Sequence, residues 1–196
     1  LLDDFLPESV MTLTDHSESC VFFVSRDIWE KIDIAKMPHL KLVICLEGYE
    51  LLYSKDPAVT QAHASIEVLF KEKYPGGFGP EQVSYPTDNF DDLALINYTS
   101  GTTSAPKGVM LTYRNISSNI QFGQSEMPNG PGDTLVSMLP MAHMYGMAFE
   151  YLYQLAGGTQ VFFLGKVPSP KVLLDALATV KPYMMITVPL VIEKIF

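Results

Sequence analysis

Residues 98–108 read Tyr-Thr-Ser-Gly-Thr-Thr-Ser-Ala-Pro-Lys-Gly and come directly after the largely apolar run Leu93–Asn97. These eleven positions hold five serine or threonine hydroxyls, two glycines and one lysine. Hydroxyls and free backbone N–H groups donate to phosphate oxygens, glycine lets the backbone approach closely, and lysine brings a positive charge. The stretch therefore predicts a loop that holds a polyphosphate.

This loop differs from a Walker A loop, which needs the pattern G-x-x-x-x-G-K-[ST]. Counted from Gly101, Pro106 takes the place of the second glycine, and Gly108 takes the place of the Ser or Thr after the lysine. The magnesium-binding hydroxyl is therefore missing from its Walker position. A second short strand, Val109–Thr112, follows at once, so we predict a hairpin that grips the loop at both ends. A polar surface loop between two strands is the simpler alternative.

Three segments of the chain resemble one family. The pattern Y-T-S-G-T-T-x-x-P-K-G-V, from Tyr98 to Val109, resembles the phosphate-loop signature of the AMP-forming acyl-CoA synthetases, in the adenylate-forming superfamily. Downstream, Leu139–His143 is similar to the L-P-x-x-H segment of that family, and Val188–Ile195 to the V-P-x-x-x-E-K-I segment of its long-chain fatty-acid ligases. Two positions depart from the family: Ser104 stands where glycine is usual, and Leu190 where arginine is common.

The resemblance implies a reaction. Members of the family activate a carboxylic acid with ATP, and the long-chain segments indicate a fatty acid. The carboxylate oxygen attacks the α-phosphate, pyrophosphate leaves, and an acyl-adenylate forms. Coenzyme A then displaces AMP and a thioester results. Mg²⁺ accompanies the ATP.

The resemblance also implies which residues form the site. The candidates for binding ATP are Thr99, Ser100, Gly101, Thr102, Thr103, Ser104, Lys107 and Gly108. Among them, we expect Lys107 to contact the β- and γ-phosphates and Thr99 to touch the magnesium ion. His143 is expected beside the acyl carboxylate or the α-phosphate, which it would orient. An acyl tunnel and plain helix packing explain four further residues equally well: Met144, Tyr145, Met147 and Phe149.

Composition and charge limit the classes of protein to which the chain can belong. The chain has 196 residues, of which 47% are hydrophobic and 18% charged, so it can form a packed core. Its net charge of −9 makes nucleic acid an unexpected partner. No apolar run reaches the roughly 18 residues of a membrane-spanning helix. We expect a cytoplasmic protein, with peripheral membrane contact left open because the substrate is a lipid.

The order of predicted elements is that of an α/β protein. Strands are predicted at 19–25, 40–46, 93–97, 109–112, 134–139, 160–164 and 183–188. Helices are predicted at 27–34, 63–74, 113–126, 145–155 and 170–180, and from 189 onward. Alternating strands and helices predict a layered parallel sheet built from βα repeats. By resemblance, this is part of the large N-terminal domain of an adenylate-forming enzyme, with a first βαβ part (1–74), a connecting segment (75–92) and a part with the phosphate-loop hairpin (93–196).

The chain starts without methionine and ends inside a predicted amphipathic helix, so we expect a fragment of a longer protein. By resemblance, a C-terminal domain with a catalytic lysine would follow Phe196, and residues 1–196 alone would be inactive. Two other classes stay open. One is a sister enzyme that adenylates amino acids or aryl acids, and the other is a non-catalytic nucleotide-binding scaffold.

Overall fold

The computed structural model describes residues 5–85, 88–99, 106–164 and 169–195. The chain divides into two compact units, with the division between Asp88 and Asn89. The first unit contains α1 (Pro7–His16), β1 (Val21–Val24), α2 (Arg26–Trp29), β2 (Leu42–Cys45), β3 (Leu51–Ser54), α3 (Pro57–Ala64) and α4 (Ile66–Lys73), with 3₁₀ turns at Ile34–Lys36 and Pro80–Gln82. The second unit contains β4 (Leu93–Thr99), β5 (Lys107–Thr112), α5 (Tyr113–Glu126), β6 (Thr134–Ser137), a π-helix (Gly146–Leu152), α6 (Tyr153–Gly157), β7 (Gln160–Phe163), α7 (Pro170–Val180) and α8 (Pro189–Ile195).

The first unit is built on a three-stranded sheet in the order β1-β2-β3. Strands β1 and β2 are parallel, as the predicted βαβ pattern requires, and β3 adds an antiparallel edge. The core of the unit is formed by five buried side chains from α1, the strands and the segment before β2: Met11, Val24, Met37, Leu40 and Val43.

Two elements of this unit were not predicted from the sequence. Helix α1 begins with Pro7 in its first turn, where a missing N–H costs nothing, and buries a face that includes Val10 and Leu13. Strand β3 returns from β2 through a tight turn in which Gly48 and Tyr49 have positive φ values of 84° and 59°. The helix predicted at 63–74 corresponds mainly to α4, whereas α3 begins earlier, at Pro57, and ends at Ala64, so the two helices meet at Ser65.

The second unit opens with the predicted hairpin. Strands β4 and β5 are antiparallel, with Thr99 opposite Lys107 and Tyr98 opposite Gly108. Helix α5 follows without a break because Thr112 caps it: its hydroxyl accepts from the Asn115 N–H at 3.3 Å, and the Asn115 side chain accepts from the Thr112 N–H at 2.9 Å. The predicted cap and the predicted end at Glu126 are both confirmed.

A parallel pair, β6 and β7, forms the other sheet of this unit, and the π-helix with α6 makes the crossover between its strands. Gly158 ends α6 in the left-handed conformation, with φ 77°. The strand predicted at 183–188 is wrong. Only one bridge forms there, between Leu135 and Met184, and the chain enters α8 at Pro189.

The parallel pairs, the intervening helices and the hairpin confirm the predicted α/β class. Two buried clusters hold the second unit together, one around Leu135 and Tyr153 and the other around Val136 and Leu173. Among the residues that the structure describes, no helix combines the length and the apolar character needed to cross a membrane.

Candidate functional site

A cavity of about 510 Å³ lies within the second unit, and its volume is typical of small-molecule sites. Its walls come from the β4–β5 hairpin, from the first turns of α5 and from the segment that leads into the π-helix. The lining residues are Asn97, Thr99, Val109, Leu111, Asn115, Ile116, Asn119, His143, Met144, Tyr145, Ala148 and Phe149. The cavity therefore joins two segments, around Thr99 and around His143, that the sequence analysis singled out separately.

The hairpin presents one face of each strand to this cavity. Asn97 and Thr99 are two residues apart on β4, and Val109 and Leu111 are two residues apart on β5, as the alternation of strand side chains requires. Lys107 lies opposite Thr99 and is exposed. Five candidate residues of the loop lie outside the described residues: Ser100, Gly101, Thr102, Thr103 and Ser104.

Gly108 was predicted to allow close approach of a phosphate, and the structure places two side chains against it. A Cβ atom at this position would lie 3.0 Å from Cγ2 of Ile96 and 3.1 Å from the ring of Tyr98. The Tyr98 ring is buried, so it has little room to move away. A side chain at this position would therefore need Ile96 and Tyr98 to shift by a few tenths of an ångström.

His143 stands after the carboxyl end of β6, where ligand-contacting groups gather in α/β folds. Its N–H donates to the Pro140 carbonyl at 3.0 Å, and its own carbonyl accepts from the Met147 N–H at 2.9 Å. These bonds make a tight turn that leads directly into the π-helix. The imidazole is exposed and lines the cavity.

Glu150 is a buried carboxylate that the sequence analysis missed. It lies on the π-helix with no solvent exposure and accepts from the Ser137 hydroxyl at 2.9 Å and the Leu139 N–H at 2.9 Å. The Met138 N–H also donates to it, at 3.1 Å. Burial raises the pKa of the Glu150 carboxyl, and these hydrogen bonds oppose the rise. The carboxylate thereby fixes the end of β6 from which the His143 turn departs.

A signal for Glu150 was present in the sequence. It is the one acidic residue in the otherwise apolar and aromatic stretch Met147–Tyr153, and a lone carboxylate among apolar side chains needs buried partners. The π geometry of this stretch also needs support, because it disrupts the regular helix bonds. Gln154 supplies some of it by donating its side-chain amide to the Phe149 carbonyl at 3.0 Å.

The donor set for magnesium is small. Within the described ranges, no group of three His, Cys, Asp or Glu side chains could hold a metal ion. Thr99 brings one neutral oxygen to the cavity, whereas Mg²⁺ is commonly held by one or two carboxylates together with the phosphates of a substrate. The described lining offers this hydroxyl and no carboxylate, so most ligands of a magnesium ion here would come from the nucleotide that carries it and from water.

Comparison with known proteins gives a family. The family model described as AMP-binding enzyme matches residues 1–196. Long chain acyl-CoA synthetase 6 of Arabidopsis thaliana is 30% identical over 199 residues, which cover 100% of this chain and 27% of that protein. Probable acyl-activating enzyme 16 of the same plant is 42% identical over 197 residues, which cover 96% of this chain and 27% of that protein.

Another relative is similar over a shorter region. The long-chain-fatty-acid–[acyl-carrier-protein] ligase AEE15 of Arabidopsis thaliana is 42% identical over 106 residues, which cover 54% of this chain and 14% of that protein. The chain thus spans about a quarter of the length of the two relatives that match nearly all of it, 27% in each case.

Two solved structures share the fold. Apo MatB from Rhodopseudomonas palustris superposes with a TM-score of 0.72 at 22% identity, covering 100% of this chain and 34% of that chain. The N-terminal domain of FACL13 from Mycobacterium tuberculosis gives a TM-score of 0.72 at 16% identity, covering 100% of this chain and 44% of that chain. These likenesses show that the chain shares the fold of those structures, and they agree with the predicted α/β class.

Proposed function

Because the chain belongs to the AMP-binding enzyme family, we propose that it is the phosphate-binding and acyl-binding part of an enzyme that activates a fatty acid with ATP. The carboxylate oxygen of the acid attacks the α-phosphate, the bond between that phosphorus and pyrophosphate breaks, and an acyl-adenylate forms. The thiol of coenzyme A then attacks the acyl carbonyl, AMP leaves, and the thiol proton passes to solvent. The activity belongs to the full-length protein, since the chain spans only 27% of such relatives.

One observation carries the proposal: Thr99, at the end of the phosphate hairpin, lines the same cavity as His143 and a set of apolar side chains. The apolar part, with Met144, Tyr145 and Phe149, suits an aliphatic chain, which leaves water favourably for such a surface. The polar end suits the carboxylate and the phosphates. A single cavity would therefore hold both reacting groups in one place.

The residues act by positioning and by neutralising charge, which supply most of the catalysis in transfers of phosphoryl-type groups. We assign Lys107 to the β- and γ-phosphates and the Thr99 hydroxyl to the magnesium ion that ATP carries. That ion would neutralise phosphate charge. The loop groups of Ser100–Ser104 donate to phosphate oxygens, and His143 orients the carboxylate or the α-phosphate.

A second candidate differs in the thiol that receives the acyl group. Two relatives with 42% identity are an acyl-activating enzyme and a ligase that acts on acyl-carrier protein, whereas the long chain acyl-CoA synthetase is 30% identical. A phosphopantetheine thiol on a carrier protein presents the same nucleophile as coenzyme A. The acyl-adenylate step is identical in the two cases, so only the acceptor distinguishes them.

The experiment is acid-dependent exchange of radiolabelled pyrophosphate into ATP by the full-length protein. Acetate, medium-chain and long-chain fatty acids, amino acids and aryl acids are compared. The proposal predicts exchange that rises with acyl chain length. Exchange with amino or aryl acids alone would assign the protein to a sister branch, and no exchange with any acid would favour a nucleotide-binding scaffold. Adding coenzyme A or acyl-carrier protein to the active acid then identifies the acceptor.

A further inference from the structure

The segment that carries His143 is held in place from two directions. This segment, residues 138–146, is named here the His143 turn. At its start, Glu150 accepts from the N–H groups of Met138 and Leu139. Within the turn, Gly146 packs closely on its first half, since an added Cβ atom would be 2.7 Å from the Pro140 carbonyl oxygen. The Glu150 bonds come from the π-helix and fix the start of the turn at the end of β6, and the Gly146 contact keeps the turn tight.

A further contact comes from the hairpin. The side-chain amide of Asn97 on β4 donates to the carbonyl oxygen of Ala142 at 2.8 Å, across 45 positions of sequence. Asn97 is two residues before Thr99, and Ala142 is directly before His143. The bond therefore connects the strand that ends in the phosphate loop with the turn that ends in the histidine.

The side chain of Asn97 bonds to a different element of the fold, unlike those of the other two asparagines that line the cavity. Asn115 caps α5 with its side-chain oxygen, and Asn119 donates its amide to the Asn115 carbonyl at 2.8 Å. Both bond within their own helix and its cap. Asn97 is half-buried in a wall that is largely apolar, where an amide N–H without an acceptor is costly, and the Ala142 carbonyl supplies that acceptor.

We propose that Asn97 is a positioning residue that ties the phosphate hairpin to the His143 turn, so that Thr99 and His143 keep a fixed spacing across the cavity. The consequence of this fixed spacing for catalysis rests on the proposed function. A bond between the two walls holds the nucleotide side and the acid side in the geometry of attack, and small displacements from such a geometry slow a reaction strongly.

The first test measures amide hydrogen exchange by mass spectrometry in the full-length protein and its Asn97→Asp and Asn97→Leu variants. Aspartate has nearly the size of asparagine but lacks its amide donor, and leucine removes the polar group altogether. One variant therefore remains informative if the other fails to fold. The His143 and Met147 amides, which close the turn, should exchange about threefold to tenfold faster in both variants, as expected for one lost hydrogen bond. Equal rates in wild type and variants would overturn the proposal.

The matched control is Asn119→Leu, used for hydrogen exchange only. It makes the same change in the same cavity, and its bond partner is in its own helix. The His143 turn should keep wild-type exchange rates in this variant. Equal acceleration by Asn119→Leu and Asn97→Leu would overturn the specific role of Asn97.

The second test measures kinetics of ATP–pyrophosphate exchange. If the wild-type protein is active, both Asn97 variants should lower kcat about threefold to tenfold while the KM for ATP stays within about twofold. An unchanged kcat alongside faster amide exchange would overturn the positioning role. If the wild-type protein shows no activity with any acid, the proposed function fails, and amide exchange alone decides whether Asn97 holds the turn.

Discussion

At the scale of single residues, Lys107 is the most direct test of phosphate binding, since it holds the only charge in the stretch 98–108. Lys107→Ala should cost about 1.5–3 kcal/mol of interaction with ATP, as for a hydrogen bond to a charged group. The KM for ATP would then rise roughly tenfold or more. Steady-state kinetics with varied ATP check this, with Lys171→Ala on the exposed start of α7 as the control. Unchanged ATP kinetics would remove Lys107 from the site.

His143 is expected to act on the reacting groups more than on nucleotide affinity. His143→Ala should lower kcat for acyl-adenylate formation by about 10- to 100-fold, because it loses orientation at the reacting centre. The KM for ATP should change little. His63→Ala in the first unit is the matched histidine control, since that ring contacts the Tyr49 carbonyl, outside the proposed site. Normal adenylation by His143→Ala would contradict the assigned role.

Glu150 gives the protein a pH-dependent stability. Burial raises the pKa of its carboxyl in the folded state above the unfolded value of about 4.3. The folded state therefore holds the proton more tightly, so this contribution to stability is complete below the unfolded pKa and is lost as pH rises through the folded pKa. Glu150→Gln cannot ionise and should show a flatter decline as the pH rises above the unfolded value of about 4.3.

Urea unfolding midpoints of the full-length protein over this pH range measure the effect. Glu126→Gln, an exposed position on α5, is the control substitution. Parallel pH profiles for wild type and Glu150→Gln would mean that the Glu150 carboxyl titrates alike in the folded and unfolded states.

At the scale of elements, the packing of α5 on α6 depends on one glycine. A Cβ atom at Gly123 would lie 2.8 Å from Cδ2 of Tyr153, whose ring is fully buried and whose hydroxyl donates to the Met127 carbonyl. Gly123→Ala should destabilise the protein by about 1–3 kcal/mol through overpacking. Thermal unfolding measures this, with Gln124→Ala on the exposed side of the same helix as the control. A midpoint equal to wild type would show that the ring can move aside.

Elements with strong local signals could be predicted from the sequence. Helix α7 has the predicted bounds, with Ser169 as its cap and Pro170 in its first turn, and α5 has its predicted capping threonine. The strand expected at 183–188 does not form beyond one bridge, although the segment lies beside β6 and the Tyr183 N–H donates to the Thr134 carbonyl at 2.8 Å. Beside this segment, only Leu135 forms a bridge, with Met184.

The site could be predicted in part, because the types of its residues indicate the chemistry that they can perform. Thr99 and His143 come from recognisable segments, and the structure brings both to one cavity. Asn97 and Glu150 could not be placed in the same way, since their importance depends on backbone partners that are distant in sequence. The partner of Asn97 is 45 positions away, and those of Glu150 are 11 and 12 positions away. Such contacts exist only once β4, β6 and the π-helix have been assembled.

At the scale of the whole molecule, the net charge affects how the proposed phosphate site can attract its ligand. The chain carries a net charge of −9, so its overall field opposes the approach of a polyanion such as ATP. In the proposed function, attraction therefore comes from nearby donors, from Lys107 and from the cation that accompanies the nucleotide. The sequence analysis proposed this arrangement from residues 98–108, and the division of the chain between Asp88 and Asn89 falls within the segment 75–92 that it described as connecting.

The central claim is that the cavity between the hairpin and the His143 segment holds the acyl chain. Val109 lines this cavity, whereas Met110, the next residue on β5, is not among the lining residues and is exposed. Val109→Phe would therefore add a ring to the cavity wall, and Met110→Phe would make a similar change on the opposite face of the strand.

The measurement is the chain-length profile of ATP–pyrophosphate exchange for the full-length wild-type protein and these two variants. We predict that Val109→Phe lowers kcat/KM for long-chain fatty acids by about tenfold or more, as for loss of well-packed apolar contacts, while shorter acids are affected less. Met110→Phe should keep the wild-type profile. An identical profile for wild type and Val109→Phe would show that the acyl chain binds elsewhere and would contradict the account.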